Sequence, residues 1–200
     1  TGLILKGVSI ILKSVFETVV KWKKLGYDPG IVSINLSMAQ LEQYDLFIDE
    51  IKRLLSETQC DAQWIELEIT ESMAMKDPDS IIKVLAQLDN LGFKISMDDF
   101  GTGYSSLAYL KKMPIRKLKI DRSFIKELPS SRDDTMMSKT IIALAENLGL
   151  EVIAEGVETV EQKEFLLQNG CHLIQGYLYS KPVPCKKIEE AISKIVVHHK

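Results

Sequence analysis

The chain has 200 residues, 46% hydrophobic and 26% charged, a composition that suits one large or two small globular domains. A net charge of −3 without a long basic run argues against a nucleic-acid backbone as partner. Cys60, Cys171 and Cys185 lie far apart and form no CxxC pair. That argues against a disulfide framework or a structural zinc site and fits a reducing cytoplasm.

An amphipathic helix is expected from about Val8 to Leu25, where Ile11, Leu12, Val15, Phe16 and Val19 recur at helical spacing. Its apolar start, Val8 to Leu12, is too short to span a bilayer and soon meets Lys13 and Glu17; no signal peptide is evident. The turn Tyr27 to Gly30 leads to a strand, Ile31 to Leu36. The alternation then repeats: helix Asp45–Glu57, strand Trp64–Ile69; helix Asp79–Leu91, strand Phe93–Asp98; helix Ser105–Lys112, strand Ile115–Ile120; helix Asp133–Leu148, strand Leu150–Ala154; helix Val160–Asn169, strand His172–Gln175; and a last helix, Lys186–Val197. Gly92, Gly149 and Gly170 each precede a strand, where a helix end calls for a left-handed residue. No Pro- or Ser-rich linker interrupts the run, so residues 1–200 read as a single domain. His198 and His199 read as solvated tail residues.

Strands alternating with helices imply a parallel α/β architecture, either an open doubly wound sheet or a barrel. Side-chain parity discriminates. Glu66 and Glu68 oppose Ile65, Leu67 and Ile69; Lys94, Ser96 and Asp98 oppose Phe93, Ile95 and Met97; Lys117 and Lys119 oppose Leu118 and Ile120; Glu151 and Glu155 oppose Val152 and Ala154. Strands buried on both faces by helices read as nearly continuous apolar runs. One apolar and one charged face suit a barrel with its polar face inward. A charged interior needs a cause, since barrel interiors are usually filled by branched aliphatics. A paired network of Lys94, Lys117 and Glu66 is one such cause, because buried charges persist only when paired or metal-bound. Eight strands complete a barrel and six are readable here, so one or two leading strands are expected to be missing.

The last inward residue of each strand carries chemistry: Asn35, Glu68, Asp98 with Asp99, Lys119, Glu155 and Gln175. In such barrels the site lies at the C-terminal strand ends. Oxygen ligands without neighbouring His or Cys suit Mg²⁺ or Mn²⁺ rather than zinc, and several carboxylates around one mouth suit two ions acting on a phosphodiester. Adjacent carboxylates at Asp98 and Asp99 raise each other's pKa, a cost that a divalent cation removes. Each position also has a plain structural reading: Asp98 and Asp99 as a strand end and turn, Asn35 as a turn residue, Glu68 as an ion-pair partner, Lys119 as a solvated strand end and Gln175 as a backbone capper. Their joint occurrence at matching strand ends is what those readings do not predict.

The stretches Ser33-Ile34-Asn35-Leu36-Ser37, Glu68-Ile69-Thr70-Glu71, Asp98-Asp99-Phe100-Gly101-Thr102-Gly103-Tyr104-Ser105-Ser106-Leu107, Lys119-Ile120-Asp121, Glu155-Gly156-Val157-Glu158-Thr159 and Gln175-Gly176-Tyr177 resemble, in order and along nearly the whole chain, the motifs of the EAL domain family. The resemblance implies a modified (β/α)₈ TIM-type barrel whose first strand runs antiparallel. It implies a phosphodiesterase that hydrolyses the bacterial second messenger cyclic di-GMP to linear pGpG by two-metal activation of water. It further implies Mg²⁺ or Mn²⁺ held through Asn35, Glu68, Asp98, Asp99 and Glu155, and catalysis by Lys119, Glu155 and Glu158 around the attacking water. Gln175 and Glu158 would contact substrate. Glu71 would anchor the loop from Asp99 to Ser106, which in the family links dimerisation, metal binding and activity. The implied partners are cyclic di-GMP, a second copy in a homodimer, and attached sensory or diguanylate cyclase-type domains, in the cytoplasm and without a membrane segment.

The chain departs from the family in one respect. The family's Glu-Ala-Leu motif and the arginine soon after it do not occur; Thr1-Gly2-Leu3-Ile4 resembles a point downstream of both. The sequence therefore reads as one EAL-type domain, incomplete at its N-terminus. A non-catalytic cyclic di-GMP receptor or regulatory interaction module is the alternative, weighed down by the intact catalytic-type positions. A barrel enzyme acting on sugar phosphates is disfavoured, because no glycine-rich phosphate loop follows the last strands.

Overall fold

The structure, a computed structural model, describes residues 2–103 and 106–189, and of residues 2–8 the backbone only. The elements run in chain order α1 (Gly2–Lys24), β1 (Val32–Asn35), α2 (Met38–Glu42), α3 (Tyr44–Thr58), β2 (Ile65–Thr70), α4 (Glu71–Lys76), α5 (Pro78–Asn90), β3 (Lys94–Phe100), α6 (Leu107–Leu110), β4 (Lys117–Ile120), α7 (Arg132–Leu148), β5 (Glu151–Ala154), α8 (Val160–Gln168) and β6 (Leu173–Ile174). The six strands hydrogen-bond in chain order within one sheet, and β3 to β6 pair in parallel. The fold class is α/β of the TIM-barrel type, as expected. The expected last helix is helical over 185–189, and its remainder lies outside the described residues.

Two compact units divide the chain: Thr1–Leu67 with Gln87–Lys94 and Pro182–Lys200, and Glu68–Ala86 with Ile95–Lys181. In the first, α1 packs on α3. Leu12, Phe16 and Val19 are buried from one helix, and Phe47, Ile48, Ile51 and Leu54 from the other. The Phe16 and Phe93 rings lie 6.3 Å apart, and truncating so deeply buried a ring costs about 3–5 kcal/mol. In the second unit α7 packs on β4 and β5. Its N-terminus is capped by the Ser131 hydroxyl, which accepts from the Asp134 N–H, and its C-terminus by Gly149 in the left-handed region.

Strands β2, β3 and β4 bury both faces, with opposite chemistry. Ile65, Leu67, Ile69, Ile95, Met97, Leu118 and Ile120 are fully buried on one. Glu66, Glu68, Ser96, Asp98 and Lys119 are buried on the other. Glu66 accepts a hydrogen bond from the Ser33 hydroxyl at 3.2 Å. The alternation seen in the sequence is thus a true division into an apolar and a polar buried face. The cysteines are free, with Cys60 and Cys171 buried and Cys185 exposed. Burial pushes the Cys60 and Cys171 thiols up to about 11.

Candidate active site

Glu68, Asp98 and Lys119 lie on the polar face toward the C-terminal ends of β2, β3 and β4, and Glu155 directly follows β5. The structure brings these four together. The Lys119 ammonium lies 2.7 Å from Glu68, 2.7 Å from Glu155 and 3.2 Å from Asp98. Its side chain is 5% exposed, so the cluster is shut off from bulk water on the lysine side. Burial works against the charge on Lys119. The hydrogen bonds that it donates to Glu155 and Glu68 outweigh it, and the ammonium titrates above the ordinary lysine value. Glu155 is also raised: desolvation first, then the charges of Asp98 and Glu68, exceed the help it receives from Lys119. The two partners do not simply stabilise each other's charge. One cation serves several buried carboxylates, so the lysine keeps its proton while Glu155 receives too little of its positive charge.

Strict alternation would point Asp98 and Asp99 to opposite faces. The pairing of β3 with β4 resolves this: Met97 matches Leu118 and Phe100 matches Ile120, so Asp98 and Asp99 together oppose Lys119. This is a β-bulge, a device that re-aims a side chain at the end of a strand. Asp99 takes φ = 54°, a conformation that aspartate tolerates better than most residues and that marks local constraint. Its carboxyl is raised by burial and then by the charges of Asp98 and Asp121, with a hydrogen bond to Asp121 acting in the same direction.

Glu71, the first residue of α4, accepts from the backbone N–H of Gly101 at 2.9 Å and of Gly103 at 3.1 Å. A buried carboxylate thus accepts from Gly101 and Gly103 in the loop that follows β3; Tyr104 and Ser105 within it lie outside the described residues. Glu158 is ion-paired with Arg122 at 2.6 Å. Gln175 directly follows β6, in a register that sets it beside Glu155. Its N–H donates to the Ala154 carbonyl and its carbonyl accepts from the Val157 N–H. Gly176 is obligatory here, since a Cβ on it would lie 2.0 Å from the Val157 carbonyl oxygen. Asn35 ends β1 in the other unit and is exposed.

Sequence reasoning assigned no site role to Asp121, Arg122 or Gln162. Asp121 was within reach, because it stands two residues beyond Lys119 in Lys119-Ile120-Asp121 and keeps strand parity with it. Arg122 and Gln162 carry no comparable signal.

The donor set fits a hard divalent cation. It contains carboxylate oxygens and no histidine or cysteine, and it holds more buried negative charge than one ammonium offsets. Ser96, on the same face two residues before Asp98, has a buried hydroxyl with no hydrogen-bond partner among the described residues, a position suited to an ordered water. Among the described residues no three Asp, Glu, His or Cys side chains are drawn together tightly enough to hold an ion as they stand. The Lys119 ammonium occupies the point on which Glu68, Asp98 and Glu155 converge.

Parallel strands followed by helices, with carboxylates gathered at the C-terminal strand ends, define a TIM-barrel-type protein with an acidic mouth. The EAL domain matches residues 1–182, and the chain belongs to the EAL domain family. It is 45% identical over 165 residues to the cyclic di-GMP phosphodiesterase NbdA of Pseudomonas aeruginosa, covering 82% of this chain and 21% of that protein. It is 39% identical over 193 residues to the bifunctional diguanylate cyclase/cyclic di-GMP phosphodiesterase MucR of the same organism, covering 96% of this chain and 28% of that protein. Among solved structures, the MucR phosphodiesterase in complex with cyclic di-GMP superposes with a TM-score of 0.89 at 40% identity, over 94% of this chain and 76% of that one. Klebsiella pneumoniae BlrP1 with manganese and cyclic di-GMP gives 0.77 at 29% identity, over 87% and 44%. The chain therefore spans about a quarter of the length of the curated relatives named here.

Proposed function

We propose that this EAL domain is a phosphodiesterase that hydrolyses cyclic di-GMP to linear pGpG with Mg²⁺ or Mn²⁺. The observation that carries the reading is the convergence of Glu68, Asp98 and Glu155 on Lys119 within a buried mouth, beside Asp99. A stability role explains it poorly, since replacing buried ion pairs by apolar residues is often neutral or stabilising.

Glu68, Asp98, Asp99 and Glu155 would hold the cations, and Asn35 is assigned to them by the family resemblance alone. When bound, these ions neutralise the phosphodiester and lower the pKa of water at the site. Lys119, held by ion pairs to Glu68, Asp98 and Glu155, orients the attacking water and balances the charge that develops on the phosphoryl oxygens. Glu155 is more exposed than Glu68 or Asp98, at 20% against 7% and 12%, and so lies toward the incoming water and substrate. Glu158 and Gln175 contact substrate from the two neighbouring strand ends. Glu71 holds the loop after β3, through which a homodimer would communicate with the site. Attached sensory or diguanylate cyclase-type domains fit relatives several times longer than this chain, MucR being named as bifunctional. No helix among the described residues is long and apolar enough to cross a membrane. The site of action proposed is the cytoplasm.

Incubation of the full-length protein with cyclic di-GMP and Mg²⁺ or Mn²⁺, with the product resolved by chromatography, tests the proposal. pGpG should accumulate, and EDTA should stop it. Saturable binding of cyclic di-GMP without turnover would replace the enzyme by a receptor.

A further inference from the structure

Glu158 is held from two directions, and both holds come from one short segment. Its backbone N–H donates to the Gln162 side chain at 2.7 Å, and the Gln162 amide donates in turn to the Lys126 carbonyl at 3.1 Å. Gln162 is 4% exposed, so this is a built contact and not a surface accident. The Glu158 carboxylate receives the Arg122 guanidinium at 2.6 Å. Arg122 opens a 3₁₀ turn, Arg122–Phe124, that is fixed by the Asp121 carboxylate accepting from the Ser123 N–H at 3.0 Å and by Ile125 and Lys126 donating to the Arg122 carbonyl. Residues 121–126 therefore grip the loop after β5 at both its backbone and its side chain.

The exposed Arg122–Glu158 pair would matter little by itself, since isolated surface pairs contribute little. What sets it apart is the seat under the arginine. A Cβ on Gly156 would lie 2.3 Å from Arg122 Cγ, 2.8 Å from Cδ and 2.9 Å from Cβ. No real side chain tolerates those distances, and rotating the arginine does not move its own Cβ. Gly156 also has φ = 69°, which a glycine adopts without strain. The arginine stem thus lies flat against bare backbone, one residue beyond Glu155, and its direction toward Glu158 is fixed by contact.

We propose that Arg122 is a positioning residue that acts through Glu158, with Gly156 as its required seat. The proposal rests on the phosphodiesterase reading of this mouth. Its consequence is that the substrate-facing geometry of the loop after β5 is set by the segment after β4, the strand that carries Lys119. Two groups that must meet one substrate are thereby locked to a common frame, where small misplacements cost rate.

A kinetic cycle in the full-length protein tests the coupling. Arg122→Ala should lower kcat/KM for cyclic di-GMP by about 10- to 100-fold, the range typical for loss of a supporting contact. Arg122→Lys should recover part of that loss. The double variant with Glu158→Ala should be no worse than Glu158→Ala alone, because a residue that acts through another has nothing left to position. Losses that multiply would show that Arg122 acts on the substrate directly and would overturn the proposal, as would wild-type kinetics in Arg122→Ala. A thermal cycle tests the seat without any activity. Gly156→Ala should lower Tm, and adding Arg122→Ala should restore part of it, since that change removes the two closest clashes and leaves the third. No recovery would overturn the seat. If the wild-type protein binds cyclic di-GMP without turning it over, the phosphodiesterase reading fails, and the first cycle is read in Kd with the same expectations.

Discussion

Arg53 on α3 and Lys119 on β4 hold similar company in the two units. Arg53 reaches Glu50 at 2.6 Å and also pairs with Glu57, which Lys13 approaches at 3.3 Å. Lys119 reaches Glu68, Asp98 and Glu155 at 2.7 to 3.2 Å. The contacts are equally short, but the Arg53 side chain is 49% exposed and that of Lys119 is 5%. Around Arg53 each carboxylate is lowered, mainly by the arginine hydrogen bond, so every partner gains from the pairing. Around Lys119, burial leaves Glu155 and the neighbouring Asp99 raised. Distance alone does not report what an ion pair contributes; solvent access decides. A buried network that leaves Glu155 raised beside its lysine suits the chemistry proposed for it, and this contrast separates the mouth from the ordinary charged surface.

The sharpest way to break the comparison is to remove a carboxylate from the buried network. Asp98→Ala or Asp99→Ala in the full-length protein should cut cyclic di-GMP turnover by about a thousandfold or more, the equivalent of several kcal/mol of lost cation assistance. The fold should survive, because the change lowers the surplus of buried negative charge; circular dichroism and Tm check this. Turnover near the wild-type level would remove these residues from the site.

Removing the cation instead should expose the imbalance as instability. Lys119→Met leaves Glu68, Asp98 and Glu155 without a counter-charge, and breaking a buried pair from one side costs about 3–5 kcal/mol. Mg²⁺ or Mn²⁺ should restore part of the loss by binding the native state alone. The expected result in urea denaturation is a large drop in midpoint with EDTA and a smaller one with millimolar Mn²⁺. An equal drop in both would show that the cluster does not take the metal.

Much of this was legible before any coordinates, for reasons that can be traced. Alternation such as Glu66-Leu67-Glu68 fixes faces because strand geometry has a period of two. It therefore gave the polar face and gathered Glu68, Asp98, Lys119 and Glu155. The same rule fails at Asp99, where the bulge breaks the period; its adjacency to Asp98, not its parity, put it in the set. The five-residue α2 and six-residue α4 were missed, being too short to show a helical period. Local caps mark them instead: Gln40 accepts from the Ser37 N–H, and the Thr70 hydroxyl accepts from the Met73 N–H. The expected helix Ser105–Lys112 is helical over Leu107–Leu110, with Ser105 outside the described residues; the glycines before it, Gly101 and Gly103, donate their N–H groups to Glu71. Arg122 was illegible because its role depends on a gap at Gly156 that only the packing reveals.

The exposed network should show the smallest effect and a different signature. The Glu50 carboxyl is lowered from 4.5 by its hydrogen bonds to Arg53 and then Ser9, and Glu57 is lowered by Arg53 and Lys13. A carboxyl lowered in the folded state stabilises above its unfolded value. That contribution fades as pH falls below about 4.5 through the lowered folded value. Arg53→Ala should therefore cost a little stability at neutral pH, and the gap from wild type should close on acidification below that point. It should also shrink in about 1 M salt, where the Debye length is about 3 Å and exposed charges are screened. Urea midpoints at neutral and acid pH, with and without salt, measure this. A gap that widened in acid, or held at high salt, would place Arg53 with Lys119 and dissolve the distinction between the two networks.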